Sequence, residues 1–152
     1  MNDPIVPHFR ITGLPSSGFR HLSGLSDDEL ATYHAKRCVA DASPGYPDRI
    51  ELRDANVGES VILVNHAHLP GAGPYQSAHA VFVLEHATST FDAVDSVPDV
   101  LRPRMLSLRA FDRDDMMVDA DLVEGRDVEA MVSRLLAQPN VEYVHAHFAK
   151  RG

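Results

Sequence analysis

Two stretches of strict two-residue alternation, Met105–Asp112 and Met116–Val123, are separated by only three residues. Side chains alternate faces along a strand, so this pattern dictates an antiparallel hairpin. Leu106, Leu108 and Ala110 share one face, and Val118, Ala120 and Leu122 share one face of the partner. Opposing the two sets pairs Ala110 with Val118, Leu108 with Ala120 and Arg109 with Asp119. Arg113-Asp114-Asp115 is then the loop, with Asp115 at a left-handed position that Asp tolerates better than most residues.

Other strands are expected at Phe9–Thr12, Arg49–Arg53, Ser60–Ala67, His79–His86 and Val141–Phe148, with a stub at Cys38–Ala40. Two helices are expected. Ser26 and Glu29 make a capping box between Leu25 and Leu30, predicting a helix from Asp27 to about Arg37 with His34 on its surface. Val128, Met131, Val132, Leu135 and Leu136 form one apolar stripe, predicting a second helix over 127–137 that ends before Pro139. Mostly strands, with one helix early and one late, imply an α+β fold: a largely antiparallel β-sheet with two helices, in a single domain spanning 1–152. The length suffices for one proper core.

A net charge of −8 argues against a nucleic-acid partner, because phosphate affinity comes from Lys and Arg. The start, Met1-Asn2-Asp3-Pro4, lacks a basic, apolar leader, and no apolar run approaches a membrane span. A single cysteine, Cys38, excludes an internal disulfide and fits a reducing cytoplasm. A cytoplasmic protein with no membrane partner is expected.

Several motifs fail. Gly71-Ala72-Gly73 carries Gln76 where a dinucleotide loop needs its third glycine, and a strand rather than a helix comes after it. Neither a Gly-x-Ser-x-Gly elbow nor a phosphate-loop Gly-Lys-Ser/Thr occurs, and the residues after Asp112-Arg113-Asp114 do not fit a calcium loop.

The strongest sign of chemistry is a pair of His-x-His steps, His66-Ala67-His68 and His145-Ala146-His147, each closing a strand, with His79 opening another. Neutral imidazoles at alternate strand positions can share one zinc or iron ion and leave a position for water. The loop over 69–78 would bring His68 and His79 to the same end of the sheet. His68, His79 and His147 are therefore the candidate ligands of a divalent metal, with catalytic roles unassigned. His66, His145 and Arg109 are candidate contacts to a small-molecule ligand, Arg109 to an anion. The alternative is a non-catalytic binding or homodimer module whose histidines lie on a solvated sheet face. Arg49, Arg53, Arg102, Arg104, Arg109, Lys150 and Arg151 are conspicuous in an acidic chain; cross-strand pairing with Glu51, Asp119 and Asp121 accounts for them most simply.

Phe9-Arg10-Ile11-Thr12-Gly13-Leu14-Pro15, Pro44–Arg49, Pro74-Tyr75 with His79 after it, Leu106–Asp112, Met117–Asp121 and His145-Ala146-His147 with Ala149 together resemble the bacterial family called Domain of Unknown Function 1203. The resemblance covers nearly the whole chain and implies a small bacterial protein, without activity, substrate or cofactor. It departs at Asp48, where it implies Cys, and at Phe148, where it implies Asn. It also implies a further short strand beyond residue 152.

Overall fold

A computed structural model describes residues 8–69 and 71–151; the N-terminal start, residues 1–7, lies outside the described residues, as do Pro70 and Gly152. The fold is α+β, with every named strand pairing antiparallel. Strands β1 (Arg10–Thr12) and β5 (Asp92–Val94) form a small ribbon. β2 (Ala35–Val39), β3 (Ser60–Leu69) and β4 (Ser77–Leu84) form one three-stranded sheet in the order β2-β3-β4. β6 (Met105–Phe111), β7 (Met117–Glu124) and β8 (Tyr143–Phe148) form a second, in the order β7-β6-β8. Helix α1 is Asp27–Thr32 and α2 is Val128–Leu136. Among the described residues no helix is long and apolar enough to cross a membrane.

Each sheet has one face closed by apolar packing. Ile62, Val64, Val81 and Val83 line β3 and β4 beneath Leu22, Leu30 and Ile50. Leu106, Leu108 and Ala110 of β6 are covered by Val128 and Leu135 of α2, as the stripe on that helix requires. Gly125 joins β7 to α2, donating its N–H to the Arg104 carbonyl at 2.8 Å. A Cβ there would stand 1.7 Å from the Leu101 carbonyl oxygen and 2.9 Å from that of Arg102. Backbone cannot step aside as a flexible side chain can. Gly125→Ala is expected to cost about 3 kcal/mol, at the upper end of overpacking penalties; an unchanged urea midpoint would refute the crowding.

Four expectations need correction. The capping box forms, with Glu29 N–H on Ser26 Oγ and Ser26 N–H on Glu29 Oε1, each at 3.2 Å. The helix nevertheless ends at Thr32 and not near Arg37, and His34 is no helix-surface residue but a left-handed one at φ 55°. Residues 35–39 pair with 60–64 instead, and Arg37 turns to Glu85 at 2.6 Å. Tertiary pairing overrides the local helix preference of Ala-Lys-Arg.

Arg49–Arg53 is not a strand. Its backbone is a turn-rich loop with Leu52 at φ 54°, tied down by the Asp48 carboxylate. The hairpin register is shifted by one: Leu108 faces Asp121, Arg109 faces Ala120 and Ala110 faces Asp119. The loop is as expected, with Asp115 at φ 60°, but an irregularity between Ala110 and Phe111 adds Val118 to the β7 side. Arg109 and Asp119 thus lie on opposite faces. Asp119 instead accepts from Gln138 Nε2 at 2.8 Å, and Arg134 pairs with Asp121 at 3.1 Å. Finally, β5 is a strand that the sequence pattern does not announce.

Candidate functional site

The uncovered face of β6 and β8 carries Ser107, Arg109, Tyr143, His145 and His147, because Ser107 registers with His147 and Arg109 with His145. The strand periodicity that buries Leu106 and Leu108 under α2 turns these residues the other way. On the other sheet His66 registers with His79, continuing the apolar face that runs through Val64 and Val81. Between His66 and Leu69 the pairing shifts, so that Ala67 and His68 together oppose Ala78. Such a bulge re-aims a side chain. His68 stacks on His79, ring centroids 4.7 Å apart and 6° from parallel.

The two sheets meet through these rings. His147 stands edge-on to His68 at 4.8 Å and to His79 at 5.4 Å, and His145 lies 5.8 Å from His68. The nitrogens of His68, His79 and His147 that could bind an ion lie within 4.8 Å of one another. The three predicted ligands therefore converge from three strands of two sheets, and His147 is only 9% exposed rather than on a solvated face. His145 joins the cluster. His66 does not: its ring packs on Phe19 at 5.6 Å.

Hydrogen bonding at the cluster is incomplete. Ser77 Oγ and His68 Nε2 are 2.9 Å apart. His79 Nε2, His145 Nδ1 and His147 Nε2 are buried with no hydrogen-bond partner among the described residues. A buried polar atom left unpaired costs about 1–3 kcal/mol, and three at one spot are exceptional. Burial, then neighbouring positive groups, pushes His147 down to about 3 and His68 to about 4. His145 is lowered by burial and by Arg109. These imidazoles are neutral at pH 7, the form that binds metal.

Of the arginines, Arg53 holds Glu59, Arg102 holds Glu129 and Arg104 holds Asp54. These are acid partners, as the pairing reading expected; Arg53 also reaches Glu51, one of the acids expected, at 3.8 Å, while the other acids differ. Arg49 and Arg104 lie over the Phe148 ring at 4.6 and 5.0 Å, on the far side of β8 from the histidines. Arg109 is engaged differently. Its contact is Ser107 Oγ at 3.4 Å, and it has no carboxylate among the described residues.

Sequence reasoning missed an aromatic wall beside His145. Phe111 stacks on Tyr143 at 5.2 Å, touches His145 at 5.3 Å and meets Tyr75, from the loop after β3, at 6.1 Å. Tyr143 donates to Asp115 Oδ1 at 2.5 Å, and burial together with that acceptor pushes its hydroxyl up to about 12. Only Tyr143 carried a signal, its place on the same strand face as His145 and His147. Ser77 had none.

A family model described as "Protein of unknown function (DUF1203)" matches residues 45–152, a stretch that contains all six candidate side chains. Neither the curated proteins nor the solved structures gave a match.

Proposed function

Since the chain belongs to the DUF1203 family, whose function is unknown, we propose from its own residues that His68, His79 and His147 bind one divalent metal ion, zinc by preference. The observation that carries this reading is the meeting of three imidazoles whose nitrogens lie within 4.8 Å, two of them buried with no partner among the described residues. A tetrahedral ion at 2.0–2.1 Å wants ligand atoms about 3.4 Å apart. The rings would close inward by about 1 Å to meet it. Among the described residues no hydrogen bond to Nε2 of His79 or His147 opposes that movement.

Three neutral protein ligands leave a fourth position open, the pattern of catalytic rather than structural zinc. Zinc held there would lower the pKa of a coordinated water toward neutrality, the basis of hydrolytic or hydration chemistry. Arg109 and the aromatic wall flank His145 beside the cluster, and these residues would orient a small-molecule ligand. Net charge opposes a nucleic-acid partner. The reading takes the protein as bacterial and cytoplasmic, supported by the resemblance and by Cys38 as a free thiol.

Elemental analysis of untagged, zinc-exposed protein is expected to find about one ion per chain. A His68→Ala/His147→Ala double variant should lose it, while His66→Ala, whose ring lies apart on Phe19, should keep it. Sub-stoichiometric zinc in the parent, or unchanged zinc in a double variant with native circular dichroism, would overturn the proposal.

A further inference from the structure

The charge around the cluster identifies what the site accepts. Arg37, Arg53 and Arg104, all partly sheltered, each hold a carboxylate. Arg109 registers with His145 on the strand face that also carries His147, and has no carboxylate among the described residues. Asp115 already accepts from Tyr143 at its Oδ1. In a chain of net charge −8, the side chains that converge between the sheets are imidazoles and, in register with His145, one guanidinium. A dication held by the three histidines would add its charge to that of Arg109, and none of those three ligands is a carboxylate.

We infer that the site takes a small oxyanion, a carboxylate or phosphate group, held by Arg109 beside the open position of the metal and within reach of the unpartnered Nδ1 of His145. The inference rests on the metal reading for the second anchor, and on Arg109 alone for the first. A guanidinium presents a planar fork of donors that matches two oxygens of either group. His145 Nδ1 is buried and unpartnered, and as the protonated tautomer it donates to a third oxygen or to a bound water. Phe111 and Tyr143 then flank whatever carries the anion.

Acetate and inorganic phosphate, titrated separately into the cobalt(II)-loaded full chain and monitored by the visible cobalt spectrum, test this. At least one is expected to shift the spectrum saturably; saturation by acetate alone supports a carboxylate, by phosphate alone a phosphate group. Arg109→Gln should weaken that binding about ten- to hundredfold, the loss of a charge-assisted hydrogen bond, and Arg109→Lys should retain more of it. Equal anion binding in Arg109→Gln would overturn the inference.

The two readings fail separately. Stoichiometric cobalt with a spectrum that neither anion changes overturns the oxyanion and leaves the metal site standing. No cobalt uptake, with calorimetric binding of acetate or phosphate that is lost in Arg109→Gln, overturns the metal site and supports the oxyanion at Arg109.

Discussion

Taking the metal-free protein from pH 7 to pH 4 is expected to remove about 4 kcal/mol of folding stability. Burial holds His147 at about 3 and His68 at about 4 in the folded chain, whereas an unfolded histidine titrates near 6.5. With folded pKa values below unfolded ones, acid protonates the unfolded state first. The stabilising contribution is therefore complete above pH 6.5 and drains away as the pH falls toward the folded values. His147 accounts for about 3 kcal/mol; His68, more open to solvent, is discounted to about 1 kcal/mol. His66 and His145 are lowered too and act in the same sense.

About half of the loss should fall between pH 7 and 5, above the range where unperturbed carboxyls titrate. That interval is the informative one, because burial raises the Asp48 carboxyl and makes it oppose the loss at lower pH. Urea midpoints at pH 7, 6 and 5 for the parent and for His147→Gln check the prediction. A parent midpoint that does not move, or an equal slope in the variant, would show that His147 is not held neutral by burial.

Asp48→Ala is expected to cost on the order of 5 kcal/mol. The side chain is wholly buried. Its carboxylate accepts the Leu84 N–H at 2.8 Å and the Glu51 N–H at 2.5 Å, together with the Ile50 N–H. Alanine would strand three backbone donors out of reach of water and release the loop that carries Ile50 into the core beneath β3 and β4. Asp48→Asn keeps one acceptor oxygen and should fall between the two. A loss below about 1 kcal/mol in the alanine variant, read from denaturant midpoints, would mean that the loop holds without its anchor.

The convergence of the histidines was legible because it needed little. His68 and His79 flank one hairpin loop, so the chain had only to pair its two most apolar strands to bring them together. His147 required in addition that the second sheet present its uncovered face, which the stripe on α2 and the alternation of β6 already implied. What stayed illegible came from single-residue irregularities. Met117 and Val118 are both apolar, so alternation could not show that Val118 is the extra residue, and every pairing beyond it slid by one. Residues 49–53 alternate as a strand would, but the Asp48 anchor and a left-handed Leu52 hold them in a loop. The end of α1 depended on pairing with residues 60–64, which no local signal announces. Arg109 was legible as a position and not as an unpaired one, since its pairing turned on the register.

The bulge at Ala67 and His68 gives the site an economy of its own. In a regular ladder, moving one side chain to a new bearing means sliding the whole strand, and a slide of one residue would turn Val61 through His66 inside out. An unpaired residue placed near the end of β3 leaves the ladder from Val61 to His66 in register with β4 and swings only the short strand end beyond it. The aim of His68 can thus be adjusted over a lineage by local gain or loss of a residue, without disturbing the core on which the fold depends. Site and scaffold share one strand, and they can vary independently.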